Sequence, residues 1–269
     1  MSDKVAGQLR VSLVQTDLAW HQPEANRQQL QGKLAHLAGK TDLIVLPEMF
    51  TSGFTTEPDR LNSENKNDNS PTLVWMQQQA RDLNAAVTGS TVYQTDQGNL
   101  NRLWFVTPQG DTYHYDKVHL FRIADEHLRY LPGQQRVVVN YLGWRLLLTV
   151  CYDLRFPVFC RNCNDYDAML CVASWPSSRR QPWRTLLQAR AMENLSYVVG
   201  VNRIGEDGKG WHYSGDSLAV SFDGNLLVDQ PQGEAFIRTV SLEHQALEEF
   251  RAKFPAWMDA DSFELTLKQ

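Results

Sequence analysis

Three strand-like runs, each closed by a reactive side chain of a different kind, constrain this chain more than any other feature. Leu43-Ile44-Val45-Leu46-Pro47 stops on Glu48, Tyr113-His114-Tyr115-Asp116 stops on Lys117, and Leu146-Leu147-Leu148-Thr149-Val150 stops on Cys151. Short runs rich in apolar and β-branched residues read as buried strands. An acid, an amine and a thiol therefore stand at strand ends, where they can share one cleft and do nucleophilic chemistry.

The rest of the chain alternates strand and helix signals. Strands are predicted at 9–16, 43–46 and 85–93, with helices from Gln22-Pro23 to about Leu37 and over 73–84. Pro108-Gln109-Gly110-Asp111 joins strand signals at 103–107 and 112–118 into a hairpin, and Tyr141-Leu142-Gly143 joins 136–140 to 144–150. Further strands are expected at 168–173, 197–202, 217–222, 225–229 and 235–240, and helices at 182–195 and 242–254. The stretch 61–71, rich in Asn, Ser and Asp, reads as a surface loop with nothing in it to pack. βα units and antiparallel hairpins in one chain predict an α/β protein with more than one sheet. The helices are too few to cover two sheets on both faces, so two sheets packed face to face with helices outside account for the count.

At 269 residues the chain is long enough to bury a large core, and no repeat or low-complexity segment divides it, so one domain over residues 1–269 is expected. A net charge of −5 without a Lys/Arg block argues against nucleic acid as a general partner. No apolar stretch is long enough to span a bilayer, so no membrane association is expected. Met1-Ser2-Asp3-Lys4-Val5-Ala6-Gly7 lacks the basic-then-apolar pattern of a signal peptide, and a cytoplasmic location is expected. The four cysteines, Cys151, Cys160, Cys163 and Cys171, cluster centrally. Cys160-Arg161-Asn162-Cys163 has the spacing of redox and zinc sites, but Cys151 and Cys171 lie in strand-like runs, so buried free thiols rather than a metal site are expected.

Each member of the trio admits two readings. Cys151 precedes Tyr152-Asp153-Leu154-Arg155-Phe156-Pro157, and Pro157 suits a first helical turn. The thiol is either a core cysteine or a nucleophile near backbone N–H groups that can face developing negative charge. Glu48 is either a solvated carboxylate at a loop mouth or a general base held in a pocket. Lys117, in period with Tyr113 and Tyr115, is either an exposed strand lysine or a cation for a thiolate and then an oxyanion.

Leu46-Pro47-Glu48-Met49-Phe50, Tyr115-Asp116-Lys117-Val118-His119-Leu120-Phe121 and Val150-Cys151-Tyr152-Asp153-Leu154-Arg155-Phe156-Pro157 resemble, in order and spacing, the three signature segments of the nitrilase (carbon–nitrogen hydrolase) superfamily. Within it, the cysteine segment is similar to that of the omega-amidases, which hydrolyse the terminal amide of 2-oxoglutaramate and 2-oxosuccinamate; true nitrilases typically have Trp where this chain has Tyr152. The resemblance implies a four-layer α-β-β-α sandwich, usually paired, so a homodimer or higher homo-oligomer is expected. It implies Glu48 as general base, Lys117 as oxyanion stabiliser and Cys151 as nucleophile, with a second glutamate after the lysine segment positioning the substrate amide. Glu126, next to Asp125, fits that place. No metal or organic cofactor is implied.

The mechanism that follows is thioester formation on Cys151 with loss of ammonia, then hydrolysis by a water that Glu48 activates. The backbone N–H of Tyr152 shares the oxyanion with Lys117. A dicarboxylic monoamide carries a carboxylate that suits a planar bidentate donor, and Arg155 is the candidate. Arg179, Arg180 and Arg184 add positive charge or form a solvated loop, Phe54 and Trp175 are candidate pocket walls, and His212 and Tyr213 have no assigned role. Two alternatives stand beside this one. The first is hydrolysis of an N-carbamoyl or other small linear amide. The second is a non-enzymatic zinc or redox protein built on Cys160 and Cys163.

Overall fold

Alternation along β1 (Gln8–Gln15) sends Leu9, Val11 and Leu13 into one apolar cluster and Val14 into another, as the two-residue side-chain period of a strand requires. The strand is therefore sandwiched between two layers. The computed structural model describes residues 7–61 and 70–267, so most of the polar stretch expected as a loop lies outside the described residues. After β1 come α1 (Pro23–Leu34), β2 (Leu43–Val45), α2 (Pro71–Leu83), β3 (Ala86–Thr95), β4 (Gly98–Val106) and β5 (Thr112–Asp116). The second half continues with β6 (Val138–Tyr141), β7 (Trp144–Val150), α3 (Pro157–Cys160), β8 (Ala168–Ala173), α4 (Arg180–Asn194) and β9 (Tyr197–Asn202). A small hairpin, β10 (Ile204–Glu206) and β11 (His212–Ser214), precedes β12 (Leu218–Val220), β13 (Leu226–Asp229), β14 (Phe236–Glu243) and α5 (His244–Lys253).

Two six-stranded sheets result, in the orders β14-β1-β2-β3-β4-β5 and β13-β12-β9-β8-β7-β6. In each, three neighbouring strands run parallel, β1-β2-β3 in one and β7-β8-β9 in the other. Antiparallel strands flank both sets. Between the sheets, Leu9, Val11, Leu43, Val45 and Phe105 meet Leu146, Leu148, Met169 and Val199 in one cluster. The opposite face of the first sheet packs Ile44, Val87 and Trp104 against Leu30, Leu34, Leu73 and Met76 of α1 and α2. Trp183 and Leu187 of α4 cover the second sheet so closely that a Cβ on Gly200 of β9 would lie 2.5 Å from Leu187. The four layers are α-β-β-α, in agreement with the two-sheet expectation. Parallel strands bring their C-terminal ends to one edge, and in α/β sheets that edge is where ligands bind. The loops after β2, β7 and β8 start there. β5, two antiparallel steps from β3, ends there too.

Several boundaries differ from expectation for local or tertiary reasons. α2 starts at Pro71 because the Ser70 hydroxyl accepts the Leu73 N–H at 3.2 Å, and it ends at Asn84 in the left-handed conformation (φ 49°). Leu61, placed in the unpacked loop, is buried with Met49, Val92 and Tyr130. The last strand runs to Glu243, beyond the expected end at 240, because all of β14 pairs with β1 from Gln8↔Glu243 to Gln15↔Phe236. Long-range pairing there overrides the helical pattern predicted from residue 242. The β10–β11 hairpin, absent from the expected elements, carries Tyr213 to the edge where the strands end.

Candidate active site

Glu48 is fully buried, so the solvated-loop reading of this carboxylate is overturned. Its Oε1 accepts the Lys117 ammonium at 2.8 Å and the Asn101 amide at 2.8 Å, and its Oε2 accepts the Ser174 N–H at 2.8 Å. The Ser174 hydroxyl closes back on the Glu48 carbonyl at 3.2 Å. One carboxylate thus links the loop after β2 to β4, to Lys117 and to the loop after β8. Met49, the next residue, sits at φ 45° and its N–H reaches the Ser90 hydroxyl at 2.9 Å. The chain turns out of the sheet there without leaving a buried donor unpaired.

Lys117 is 1% exposed, which removes the exposed-strand alternative. Its backbone is pinned on both sides: its N–H donates to the Asn101 carbonyl at 2.9 Å and its carbonyl accepts Gly133 N–H at 2.9 Å. Only glycine fits at 133, since a Cβ there would fall 1.9 Å from the Asp116 carbonyl oxygen. The ammonium reaches Glu126 at 3.0 and 3.1 Å as well as Glu48, and lies 5.4 Å from the centre of the Phe54 ring. Burial works against the charge, but the attraction of Glu126 and then Glu48 overrides it and holds the amine well above its ordinary range.

Glu126 is also fully buried. Its Oε2 accepts the Phe121 N–H at 2.6 Å and a bond from Lys117, while its Oε1 accepts Lys117 and Asn101, the latter at 3.3 Å. Burial raises its carboxyl above the usual range, Lys117 opposes this, and the Glu48 charge adds to it. Glu126 stands behind Lys117 and does not line the cavity described below. Sequence reasoning missed Asn101, whose amide nitrogen bonds both carboxylates, because an Asn inside a strand carries no motif.

Cys151 adopts a left-handed backbone conformation, φ 48°, at the first position of a 3-10 turn, Cys151–Arg155. That conformation costs a non-glycine residue about 1–3 kcal/mol and persists only where the surroundings over-determine it. Asp153, fully buried, supplies the restraint. Its Oδ2 accepts Val150 N–H at 2.9 Å and the Tyr115 hydroxyl at 2.7 Å, and its Oδ1 accepts the His119 N–H at 3.0 Å with His119 Nδ1 at 2.8 Å. The lysine and cysteine segments are therefore tied through one carboxylate. Burial pushes the Cys151 thiol well above its ordinary range, the Glu48 charge adds to this, and Lys117 opposes it. The side chain is 8% exposed.

Glu48, Lys117 and Cys151 form the floor of a cavity of about 180 Å³. Phe54, Phe121, Tyr152 and Trp175 wall it, joined by Trp211 and Tyr213, which had no expected role. Tyr213 is buried, its hydroxyl donates to Asp207 at 2.8 Å, and the Arg203 guanidinium lies 4.7 Å from the centre of its ring. His212 is exposed, 3.3 Å from Glu206, and does not line the cavity. Arg155 and Arg179 line the cavity, and among the described residues no carboxylate pairs with either. Arg155 lies 5.3 Å from the centre of the Trp175 ring and Arg179 5.5 Å from that of Phe121. Arg180 and Arg184 add no charge to the cavity, because Arg180 pairs with Asp216 and Arg184 with Asp216 and Asp229.

The two cysteines of the C-x-x-C segment do not converge on a ligand. Cys160 is buried as expected and its thiol points to the Asp153 carbonyl at 3.4 Å, but Cys163, expected to be buried, is exposed because it lies in the loop between α3 and β8. Burial lifts the Cys160 thiol to about 12, against metal binding or redox exchange at neutral pH. Among the described residues the carboxylate and imidazole group close enough to share an ion is Asp167, His244 and Glu248, and Asp167 is already held by Arg145 at 2.6 Å and Arg251 at 2.9 Å.

Comparison with known proteins agrees with this geometry. Residues 10–252 match the family model described as carbon-nitrogen hydrolase. The chain is 47% identical to the omega-amidase YafV of Escherichia coli (strain K12), covering 96% of this chain and 98% of that protein. It is 32% identical to the 2-oxoglutaramate amidase of Paenarthrobacter nicotinovorans, covering 94% of this chain and 90% of that protein. A solved structure, XC1258 from Xanthomonas campestris, a CN-hydrolase superfamily protein with an arsenic adduct in the active site, superposes with a TM-score of 0.92 at 46% identity over 96% of this chain and 99% of that one. The chain belongs to the carbon-nitrogen hydrolase family.

Proposed function

We propose that this enzyme hydrolyses the terminal amide of small 2-oxo acid omega-amides, such as 2-oxoglutaramate and 2-oxosuccinamate, to the dicarboxylic 2-oxo acid and ammonia. The observation that carries this reading is the polarity of the cavity. Acid, amine and thiol meet at the floor, and an unpaired guanidinium, Arg155, lies on the wall. A short chain with an amide at one end and a carboxylate at the other matches that arrangement. The names of the relatives above support the same substrate class.

In the proposed mechanism Glu48 accepts the thiol proton as Cys151 Sγ attacks the amide carbon. The raised thiol range supports transfer in concert with attack rather than a standing thiolate. Lys117, cationic throughout, and the Tyr152 N–H, at the first turn of the 3-10 segment where N–H groups have no partner within the turn, hold the oxyanion. Glu48 returns its proton to the departing nitrogen, the C–N bond breaks, and ammonia leaves a thioester on Cys151. Glu48 then takes a proton from water, which attacks the thioester and releases the acid and the thiol. Glu126 acts through Lys117, fixing its position and charge, and Arg155 receives the far carboxylate bidentately.

Both sheets contribute residues to the site, which supports one catalytic unit over residues 1–269. Four unpaired cysteines suit a reducing, cytoplasmic setting. Pairing as a homo-oligomer, implied by the resemblance, belongs to the same reading, and the exposed apolar side chains of Val158 in α3 and Met192 in α4 are available to a second copy. Among the described residues no helix is long and apolar enough to cross a membrane.

Ammonia release from 2-oxoglutaramate, glutamine, N-carbamoyl-β-alanine and a simple nitrile tests the substrate assignment. The expected order has 2-oxoglutaramate clearly first, with Cys151→Ala inactive and Cys160→Ser and Cys163→Ser active. A preference for glutamine or the carbamoyl compound would overturn the substrate assignment, and full activity in Cys151→Ala would overturn the nucleophile.

A further inference from the structure

We infer that Arg179 reads the 2-oxo group of the substrate, so that Arg155 and Arg179 together select 2-oxo acids over the corresponding 2-amino acids and unsubstituted acids. This rests on the omega-amidase reading and goes beyond it, because one guanidinium is enough for a carboxylate. A single tryptophan links the two cations. Arg155 lies over the Trp175 ring, and the Trp175 indole N–H donates to the Arg179 carbonyl at 2.7 Å. Trp175 is itself held by its N–H to Asn202 Oδ1 at 2.8 Å and is 4% exposed. The Arg179 guanidinium rests against Phe121, another cavity wall.

The two cations differ from their neighbours in being uncommitted. Arg180 and Arg184 are neutralised by Asp216 and Asp229, whereas Arg155 and Arg179 have no acid partner among the described residues. Glu48 is the one carboxylate on the cavity wall among those residues, and Lys117, Asn101 and Ser174 already donate to it. The guanidiniums offer donors only, and no acceptors. A 2-oxo acid presents three adjacent acceptor oxygens, two on the carboxylate and one on the ketone. One guanidinium takes the carboxylate in a bidentate pair, and the other donates to the ketone oxygen. A 2-amino acid presents an ammonium at the same place. It would face a second cation and find no free carboxylate, which is rejection by repulsion as well as by a lost contact.

The test compares kcat/KM for 2-oxoglutaramate, glutaramate (the same chain with CH2 at position 2) and glutamine in wild type, Arg179→Met, Arg179→Lys and Arg155→Met. A charge-assisted bond to the ketone is worth about tenfold to a hundredfold. Arg179→Met should therefore lose that factor on 2-oxoglutaramate over and above whatever it loses on glutaramate, since both acids share the loss of a cavity cation and only the oxo acid loses the ketone contact. The oxo-to-deoxy ratio collapses, and retained glutaramate turnover shows that the variant is folded. Arg179→Lys should recover part of the ratio, and Arg155→Met should lower both acids by a similar factor. Equal losses on both substrates in Arg179→Met, or an unchanged ratio, would overturn the Arg179 assignment and leave the omega-amidase reading standing. Wild-type enzyme that turns over neither acid removes both. 2-Oxosuccinamate and succinamate give the same comparison one methylene shorter.

Discussion

Replacing Glu126 with Gln should be far more damaging than its near-identical shape suggests. Four donor contacts converge on the Glu126 carboxylate: Lys117 on each oxygen, Asn101 on Oε1 and the Phe121 N–H on Oε2. A glutamine has one oxygen and an NH2, so whichever way the amide turns, its NH2 faces two donors in a fully buried site. At least two contacts are lost, at roughly 1.5–3 kcal/mol each for bonds to a charged group, or about 3–6 kcal/mol in all. The Lys117 ammonium keeps only Glu48 as a charge partner and is drawn toward it, away from the oxyanion it is proposed to meet. The loss divides between folding and transition-state stabilisation. Thermal unfolding reads the first part, at roughly 2–4 °C per kcal/mol for a domain of this size. Steady-state ammonia release reads the second, at tenfold per about 1.4 kcal/mol. Together the fall in Tm and the fall in kcat should account for about 3 kcal/mol or more. Glu126→Asp, which keeps the charge but shortens the side chain, should retain more Tm than Glu126→Gln. A Glu126→Gln enzyme with Tm within about 2 °C and kcat within about threefold of wild type would refute the reasoning, since less than 2 kcal/mol would then be missing.

Asp153→Asn repeats the logic at a buried carboxylate that does not line the cavity: its amide must face either Val150 and Tyr115 or the two His119 nitrogens. Since an Asn Nδ2 can still meet His119 Nδ1 as an acceptor, the expected loss is smaller, about tenfold in kcat with little change in KM; a pure KM effect would contradict it. Alkylation of Cys151 by iodoacetamide should keep rising with pH through the ordinary thiol range near about 8.5, because burial and then Glu48 hold the proton on sulfur; a plateau in log rate below that value would show a stabilised thiolate. Burial alone would raise the Asp167 carboxyl, but hydrogen bonds from Arg145 and the charges of Arg145 and Arg251 bring it below its ordinary range. A carboxyl whose folded range is depressed binds its proton more readily when unfolded. Its stabilisation is present above the unfolded value of about 3.9 and is lost as pH falls through the lower folded range. Asp167→Asn should therefore narrow the gap in Tm between pH 6 and pH 3, and an unchanged gap would assign acid sensitivity to other groups.

The strands and the reactive side chains at their ends were legible because each relies on a local pattern. Glu48, Lys117 and Cys151 stop apolar runs, and those runs became β2, β5 and β7 nearly as predicted. Glu126 was found through resemblance, but its place behind Lys117 depends on the turn at Phe121 and was not visible in spacing. The arginines after Trp175 show the limit most clearly. Arg179, Arg180 and Arg184 read alike in sequence, yet two are neutralised by acids 32 to 45 positions away and one is left for the cavity.

The sequence by itself determined the two-sheet plan, the order of the reactive residues and the need for the loops after the strands to carry them, since hydrophobic period and turn residues act over a few positions. Only the tertiary structure decided how those residues behave. Asn101 and Ser174 carry no motif, and Asp153 lies in the cysteine segment without an expected role, but they orient the two carboxylates, pin the left-handed turn at Cys151 and join three segments far apart in the chain. The charge of Lys117 and the proton on Cys151 follow from burial and from partners 9 to 103 positions away, because desolvation and Coulomb attraction depend on distance in space rather than along the chain.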